Sequence, residues 1–156
     1  MSWRPDLTVA AVVQRDERYL IVEERIQGRL VLNQPAGHVE DGESIIDAAV
    51  RETLEETAWH FLPRHLLGLY LWRNPANGCS ILRVAIAGDV TIQDTAHTLD
   101  EGIIAAHWMT REALLARPAR LRSPLVMRCI DDHLAGQRHD LAALSYLAPQ
   151  PLPASA

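Results

Sequence analysis

The run GHVEDGESIIDAAVRETLEETAWHF, Gly37 to Phe61, decides how this chain is read. It carries seven carboxylates: Glu40, Asp41, Glu43, Asp47, Glu52, Glu55 and Glu56, the last three within five positions. Like charges at this helical spacing repel by about 0.2–0.5 kcal/mol per exposed pair. Either the acids form a wet helix face, or something positive sits among them.

The periodicity predicts a helix over about Glu43 to Trp59. Stepping about 100° per residue, Ile46, Ala49, Val50, Thr53 and Thr57 fall on one side, toward a core. Glu52, Glu55 and Glu56 point away from it, within about 100° of one another, and Arg51 lies beside Glu55. Composition alone makes this a solvated face. The chemistry argues otherwise, because carboxylates at i, i+3 and i+4 converge on a small space, and hard cations such as Mg²⁺ are held by a few carboxylates together with substrate phosphates. Gly37, just before the helix, lets the backbone turn tightly or approach a ligand.

On the N-terminal side, LTVAAVVQ (Leu7 to Gln14) and RYLIVEE (Arg18 to Glu24) are β-branched-rich runs that read as a hairpin. GRLVLNQPAG leads into a turn, Pro35 biasing Gln34 toward an extended conformation. On the C-terminal side, HLLGLYLWRN and CSILRVAIAG read as strands around NPANG, DVTIQDTAHTLDEG as mostly loop, and IIAAHWM as a last strand. Thr110 caps a short helix, and Ser123 with Pro124 starts another that ends at Gly136. Strands and helices mix without regular βαβ alternation. The pattern predicts an α/β (α+β) sandwich with a mixed sheet between helices.

The length of 156 residues fits one domain, with 48% hydrophobic and 22% charged residues as in an ordered globular chain. Residues 1–147 are expected to form the domain and 148–156 a Pro/Ala-rich tail. A formal charge of −5 argues against nucleic-acid or anionic-membrane binding through bulk charge. No basic n-region precedes an apolar run, and no apolar stretch reaches about 18 residues, so neither a signal peptide nor a transmembrane helix is expected. Cys79 and Cys129 are too far apart for a metal-binding pair and read as two buried thiols of a cytoplasmic protein. Oligomeric state is not legible.

Gly37, Glu43 six positions on, then Arg51-Glu52 and Glu55-Glu56: this pattern resembles the signature box of the Nudix hydrolases, with every charged position present. Three uncharged positions depart. Thr53 stands for an aliphatic residue, Ala58 for a glycine, and Ala36 for the second glycine many members carry. NQPAGHVE, LRSPLV (Leu121 to Val126) and AGQRHDL (Ala135 to Leu141) are similar to the NudJ phosphatase subgroup. The resemblance implies a sandwich fold and Mg²⁺-dependent attack of water on a diphosphate linkage, with Mn²⁺ as a substitute ion. It implies a small phosphorylated substrate: nucleoside tri- or diphosphates, or thiamine-type pyrophosphates. The alternatives are nucleotide sugars, dinucleoside polyphosphates, or a binding module without catalysis.

Carried onto this chain, the resemblance makes Glu52, Glu55 and Glu56 metal ligands, with Glu55 or a later carboxylate as base. It makes Arg51 a brace for a neighbouring glutamate, and Glu43 a brace for the loop or for Arg51. TLDEGI offers Asp100 and Glu101 as the outside carboxylate, and Glu101 is expected to serve. Arg122, beside a helix N-terminus, and His38 are candidate phosphate contacts, each with a plain loop or cap reading alongside. Glu23 and Glu24 read first as edge charge and second as metal neighbours. Asn33 and Gln34 sit beside the loop and are placed to shape a pocket. Tyr70 and Trp72 are available for stacking on a ring, although strand aromatics usually belong to the core.

Overall fold

The computed structural model describes residues 2–151. Strands β1 (Asp6–Arg15) and β2 (Arg18–Ile26) form the expected hairpin, with Gln14 opposite Tyr19. A two-residue turn, Gln27 and Gly28 at φ 48° and 78°, leads to β3 (Arg29–Asn33), positive φ at both positions being what a tight hairpin of matching twist demands. After β4 (Ala36–His38) come helix α1 (Ile45–Thr57), β5 (Trp59–Arg73), β6 (Ser80–Gln93) and β7 (Ile103–Thr110), then α2 (Arg111–Leu115) and α3 (Leu125–Leu134).

The sheet runs β3-β2-β1-β6-β5, with β4 added on β1 and β7 on β2. Only β1 and β6 pair in parallel, so the sheet is mixed as expected. Helices cover both faces. Ala48 and Ala49 of α1 pack against Val9, Ala11, Val13, Val84 and Ile86; Leu125, Cys129 and Ile130 of α3 pack against Val12, Ile21, Leu67 and Ala85 on the other face. Each large apolar side chain so buried contributes about 1.5–3 kcal/mol. No helix of the described residues is long and apolar enough to cross a membrane. Of the tail expected over 148–156, residues 152–156 lie outside the described residues.

Two strand expectations need correction. DVTIQ is strand rather than loop: β6 continues to Gln93, pairing Val90 with Phe61 and Gln93 with Trp59 at the start of a 15-residue β5. Register shifts between Trp59 and Phe61, Pro63 and His65, and Leu66 and Gly68 break the alternation that would have revealed the full length. Nor are Glu23 and Glu24 edge charges, because β2 is flanked by β1, β3 and β7.

The departures from the box have local explanations. Thr53 is fully buried, and its hydroxyl donates to the Ala49 carbonyl at 2.8 Å, so a polar residue fits an apolar position. Ala58 ends α1 in the left-handed conformation, φ 60°, where glycine would be unstrained. Ala36 lies in β4 opposite Ala10 without positive φ, so this backbone does not need a second glycine.

Candidate active site

β4 pairs with the first half of β1, Thr8 opposite His38 and Val9 opposite Gly37. This fixes the chain entering the loop before α1. Ser44 caps that helix, its hydroxyl accepting from the Asp47 amide at 3.0 Å.

The positive group among the acids is Arg51. Its Nη2 and Nε donate to the two oxygens of Glu43 at 2.7 and 3.0 Å, and its Nη1 donates to Glu52 at 2.8 Å and Glu55 at 3.0 Å. Nη2 also donates to the His38 carbonyl at 3.0 Å. One guanidinium thus spans three carboxylates and the loop backbone, using the planar donor fork that lysine lacks. Glu43 completes the brace by accepting from the Glu40 amide at 2.8 Å. The hydrogen bonds from Arg51 hold the Glu43 carboxyl below the usual carboxylate range, and the same bonds raise the Arg51 pKa.

Glu52 lies against Gly37 so closely that a Cβ at position 37 would overlap its carboxylate. The approach that Gly37 permits is therefore to Glu52. Burial raises the Glu52 pKa, Arg51 opposes the rise, and Glu55 and Asp100 add to it.

Glu56 departs from the expected arrangement. It does not face away from the core: it is 5% exposed, covered by the Pro35–Ala36 turn, and accepts the Ala36 amide at 2.7 Å. Burial pushes its pKa up to about 9; the Ala36 amide opposes this, while the charges of Glu52, Glu24 and Asp100 add to it. No guanidinium or ammonium among the described residues pairs with it.

Asp100, rather than Glu101, meets this cluster. The Asp100 amide donates to the Glu55 carbonyl at 3.0 Å, closing one of the open carbonyls near the C-terminal end of α1. Its carboxylate acts on both Glu52 and Glu56. Glu101 is exposed and makes no side-chain hydrogen bond or ion pair among the described residues. The backbone of the loop, anchored also by the Asp94 amide on the Ala58 carbonyl at 2.7 Å, decides between the neighbours. Glu24 joins from β2; burial raises its pKa, and Arg122 Nε stands 3.8 Å from its carboxylate. Glu23 turns instead to Arg120 and His107. The His38 ring is exposed and lies 3.8 Å from Asp6, so His38 meets the cluster through its carbonyl alone.

Glu52, Glu55 and Glu56, with Glu24 and Asp100 nearby, are the hard oxygen donors a magnesium-sized cation takes. A carboxyl whose pKa is raised by burial, and further by the acids around it, is where a divalent charge would be most stabilising. Among the described residues no three such side chains already converge as a metal site, since Arg51 draws Glu52 and Glu55 aside. The donor set fits the ion once those two side chains turn from the guanidinium.

The NUDIX domain model matches residues 4–128. The chain is 36% identical over 139 residues to "Phosphatase NudJ" of Escherichia coli strain K12, covering 89% of this chain and 90% of that protein. The Shigella sonnei strain Ss046 protein of the same name matches at the same identity and coverage. A solved NUDIX hydrolase from Nitrosomonas europaea superposes with a TM-score of 0.91 at 48% identity, covering 92% of this chain and 98% of that one. The chain belongs to the NUDIX domain family and is a hydrolase of that family.

The sequence reading missed three features. Asp100 was weighed and passed over. Glu24 was read first as edge charge. Arg83, 4% exposed in the middle of β6, gave no signal, because a strand arginine ordinarily reads as solvent-facing.

Proposed function

We propose that this chain hydrolyses phosphoanhydride bonds of nucleoside tri- or diphosphates, or of thiamine-type pyrophosphates, and releases orthophosphate. The observation that carries the reading is the acid cluster on α1, braced by a single arginine, with a buried Glu56 that no protein cation neutralises. Glu52, Glu55 and Glu56 would hold Mg²⁺, or Mn²⁺ in its place. When bound, the ion would neutralise phosphate oxygens and activate the attacking water.

The chain's own residues do the rest. Glu43 fixes Arg51, and Arg51 holds Glu52 and Glu55 beside the site until the ion draws them from the guanidinium, while α1 keeps all three ligands on a rigid helix rather than on a loop. Gly37 leaves room for Glu52. Asp100 takes the part first assigned to Glu101, alongside Glu55, and receives the proton of the attacking water. Arg122, whose Nε stands 3.8 Å from Glu24, would neutralise substrate phosphate. His38 contributes its carbonyl to Arg51 rather than its ring to substrate.

Release of orthophosphate, rather than pyrophosphate, is supported by the phosphatase name of the relatives at 36% identity. A binding module without catalysis would have no use for the complete set of charged box residues. We take residues 1–147 as the catalytic domain and the partners as small molecules only, without nucleic acid or membrane. Cys129 is buried as expected but Cys79, in the turn between β5 and β6, is exposed; both free thiols suit the reducing cytoplasm. The test is a panel of triphosphates, diphosphates and nucleotide sugars, each with and without Mg²⁺. Mg²⁺-dependent orthophosphate from the first two groups supports the reading; turnover of nucleotide sugars alone overturns it.

A further inference from the structure

Two acids stand side by side on β2 and turn to different neighbours. Successive strand residues point to opposite faces, and β2 shifts register against β7 between Glu23, opposite Ala105, and Glu24, opposite Ile103. Glu24 joins the acid cluster and acts on Glu56. Glu23 leaves it. One of its oxygens lies 3.6 Å from His107 Nε2 on β7, and the other accepts from Arg120 Nη2.

Arg120 ends a single 3₁₀ turn, Pro118–Arg120, in the segment that joins α2 to α3. This segment runs along β3, Leu121 bridging to Leu32 in parallel. The Arg122 amide donates to the Leu32 carbonyl at 2.9 Å, Arg29 Nη2 to the Ala119 carbonyl at 3.4 Å, and Arg120 Nε to the Leu30 carbonyl at 3.5 Å. The last two are long for hydrogen bonds of this kind. The pair of Arg120 with Glu23 differs from all of these. It joins opposite charges, its carboxylate is only 18% exposed, and it ties the segment to β2, the strand that supplies Glu24.

Two positions further on, Arg122 is placed otherwise. Its Nε stands 3.8 Å from the Glu24 carboxylate, beyond hydrogen-bond reach, and its guanidinium makes no hydrogen bond among the described residues. Its donors are close to the acids without being committed to them. A long, half-exposed side chain with no bond of its own stands where its backbone puts it, and the backbone is set by the segment that Arg120 anchors.

We infer that Arg120 is a positioning residue for the hydrolysis. Locked to Glu23, it clamps residues 118–122 against β2 and β3, so that Arg122 meets the phosphate chain of the substrate at the acid cluster with its donors open. Arg120 itself touches no substrate. One guanidinium is satisfied by the protein, and the other is left for the ligand. The inference rests on the hydrolase reading above, and its test separates the two.

If Arg120 acts only through Arg122, the effects of removing the two cannot add. Arg120→Gln, Arg122→Gln and the double variant are compared with the unaltered chain by calorimetric titration with inorganic triphosphate and Mg²⁺, a ligand that offers phosphate contacts alone. The kcat and KM for UTP are measured in parallel. Arg120→Gln should weaken triphosphate binding and raise KM by about three- to tenfold, with kcat within about twofold. Arg122→Gln should weaken binding at least as much, and the double variant should match Arg122→Gln within about twofold. Glu23→Gln should reproduce Arg120→Gln, and Arg120→Lys should recover part of the loss. Thermal melts report folding; should Arg120→Gln fail to fold, Glu23→Gln with and without Arg122→Gln completes the same cycle. Losses that add in the double variant, unchanged binding in Arg120→Gln, or a fall in kcat at constant KM overturns the assignment. If binding follows the expected pattern but UTP is not hydrolysed, the clamp stands and the hydrolase reading falls. If UTP is hydrolysed and Arg120→Gln binds triphosphate like the parent, the hydrolase reading stands and the clamp falls.

Discussion

Replacing Glu56 with Gln should make the metal-free protein more stable while destroying its activity. The Glu56 pKa is pushed up to about 9 in the folded chain, against about 4.3 for an unperturbed glutamate. The folded state therefore binds one more proton than the unfolded state between those values, so stability falls as pH rises through that window. Each unit is worth about 1.4 kcal/mol, which over the roughly 2.7 units between 4.3 and pH 7 gives a ceiling near 4 kcal/mol, and about 1–3 kcal/mol once the side chain relaxes toward solvent. Gln keeps an oxygen for the Ala36 amide, at 2.7 Å in the native chain, and carries no titrating group. In EDTA, Glu56→Gln should thus melt about 2–10 °C higher than the unaltered protein at pH 7. The gap should widen from pH 6 to pH 8 and close toward pH 5. Saturating Mg²⁺ should stabilise the unaltered protein more than the variant, and kcat should fall by at least about a hundredfold in the variant. Urea unfolding at three pH values measures the first claim. A variant equally or less stable than the parent at pH 8 in EDTA would refute the buried, uncompensated carboxyl.

Gly37→Ala should lower kcat/KM by at least about tenfold with little loss of melting temperature, because the added methyl displaces the end of the Glu52 side chain rather than backbone. Steady-state kinetics beside a thermal melt checks it, and unchanged turnover would remove Glu52 from the site. Asp100→Asn should reduce kcat by more than about tenfold and Glu101→Gln by less than about twofold, since only Asp100 is held against α1. Equal effects in the two variants would undo that assignment.

The part of the site that one helix carries was legible in the sequence. The i, i+3 and i+4 spacing put Glu52 and Glu55 on one side of the helix with Arg51 beside Glu55, the family resemblance implied that Arg51 braces a neighbouring glutamate, and Thr110 caps α2 as expected. The burial of Glu56 was not legible, because what covers it is the Pro35–Ala36 turn, brought there by the pairing of β4 with β1. A helical wheel assigns directions but knows nothing of neighbours. The choice between Asp100 and Glu101 depended on one backbone hydrogen bond to Glu55. The extent of β5 and β6 was masked by three register shifts, and that of Glu24 by β7, which returns from 80 residues downstream to cover β2. Arg83 was hidden for another reason. Local sequence predicts a strand arginine to be solvated, and only the assembled wall of Asn33, Gln34 and α3 shows that it is enclosed.

The most direct test of the central claim is hydrolysis of UTP in ¹⁸O-labelled water with Mg²⁺, the products being resolved and weighed by mass spectrometry. The attacking water marks the phosphorus it strikes, since one oxygen of the product comes from solvent. The label should appear in orthophosphate, with unlabelled UDP as the other product, and only when Mg²⁺ and the intact acid cluster are both present. Label in UMP or pyrophosphate, or labelled orthophosphate formed equally well by Glu55→Gln, would contradict the account.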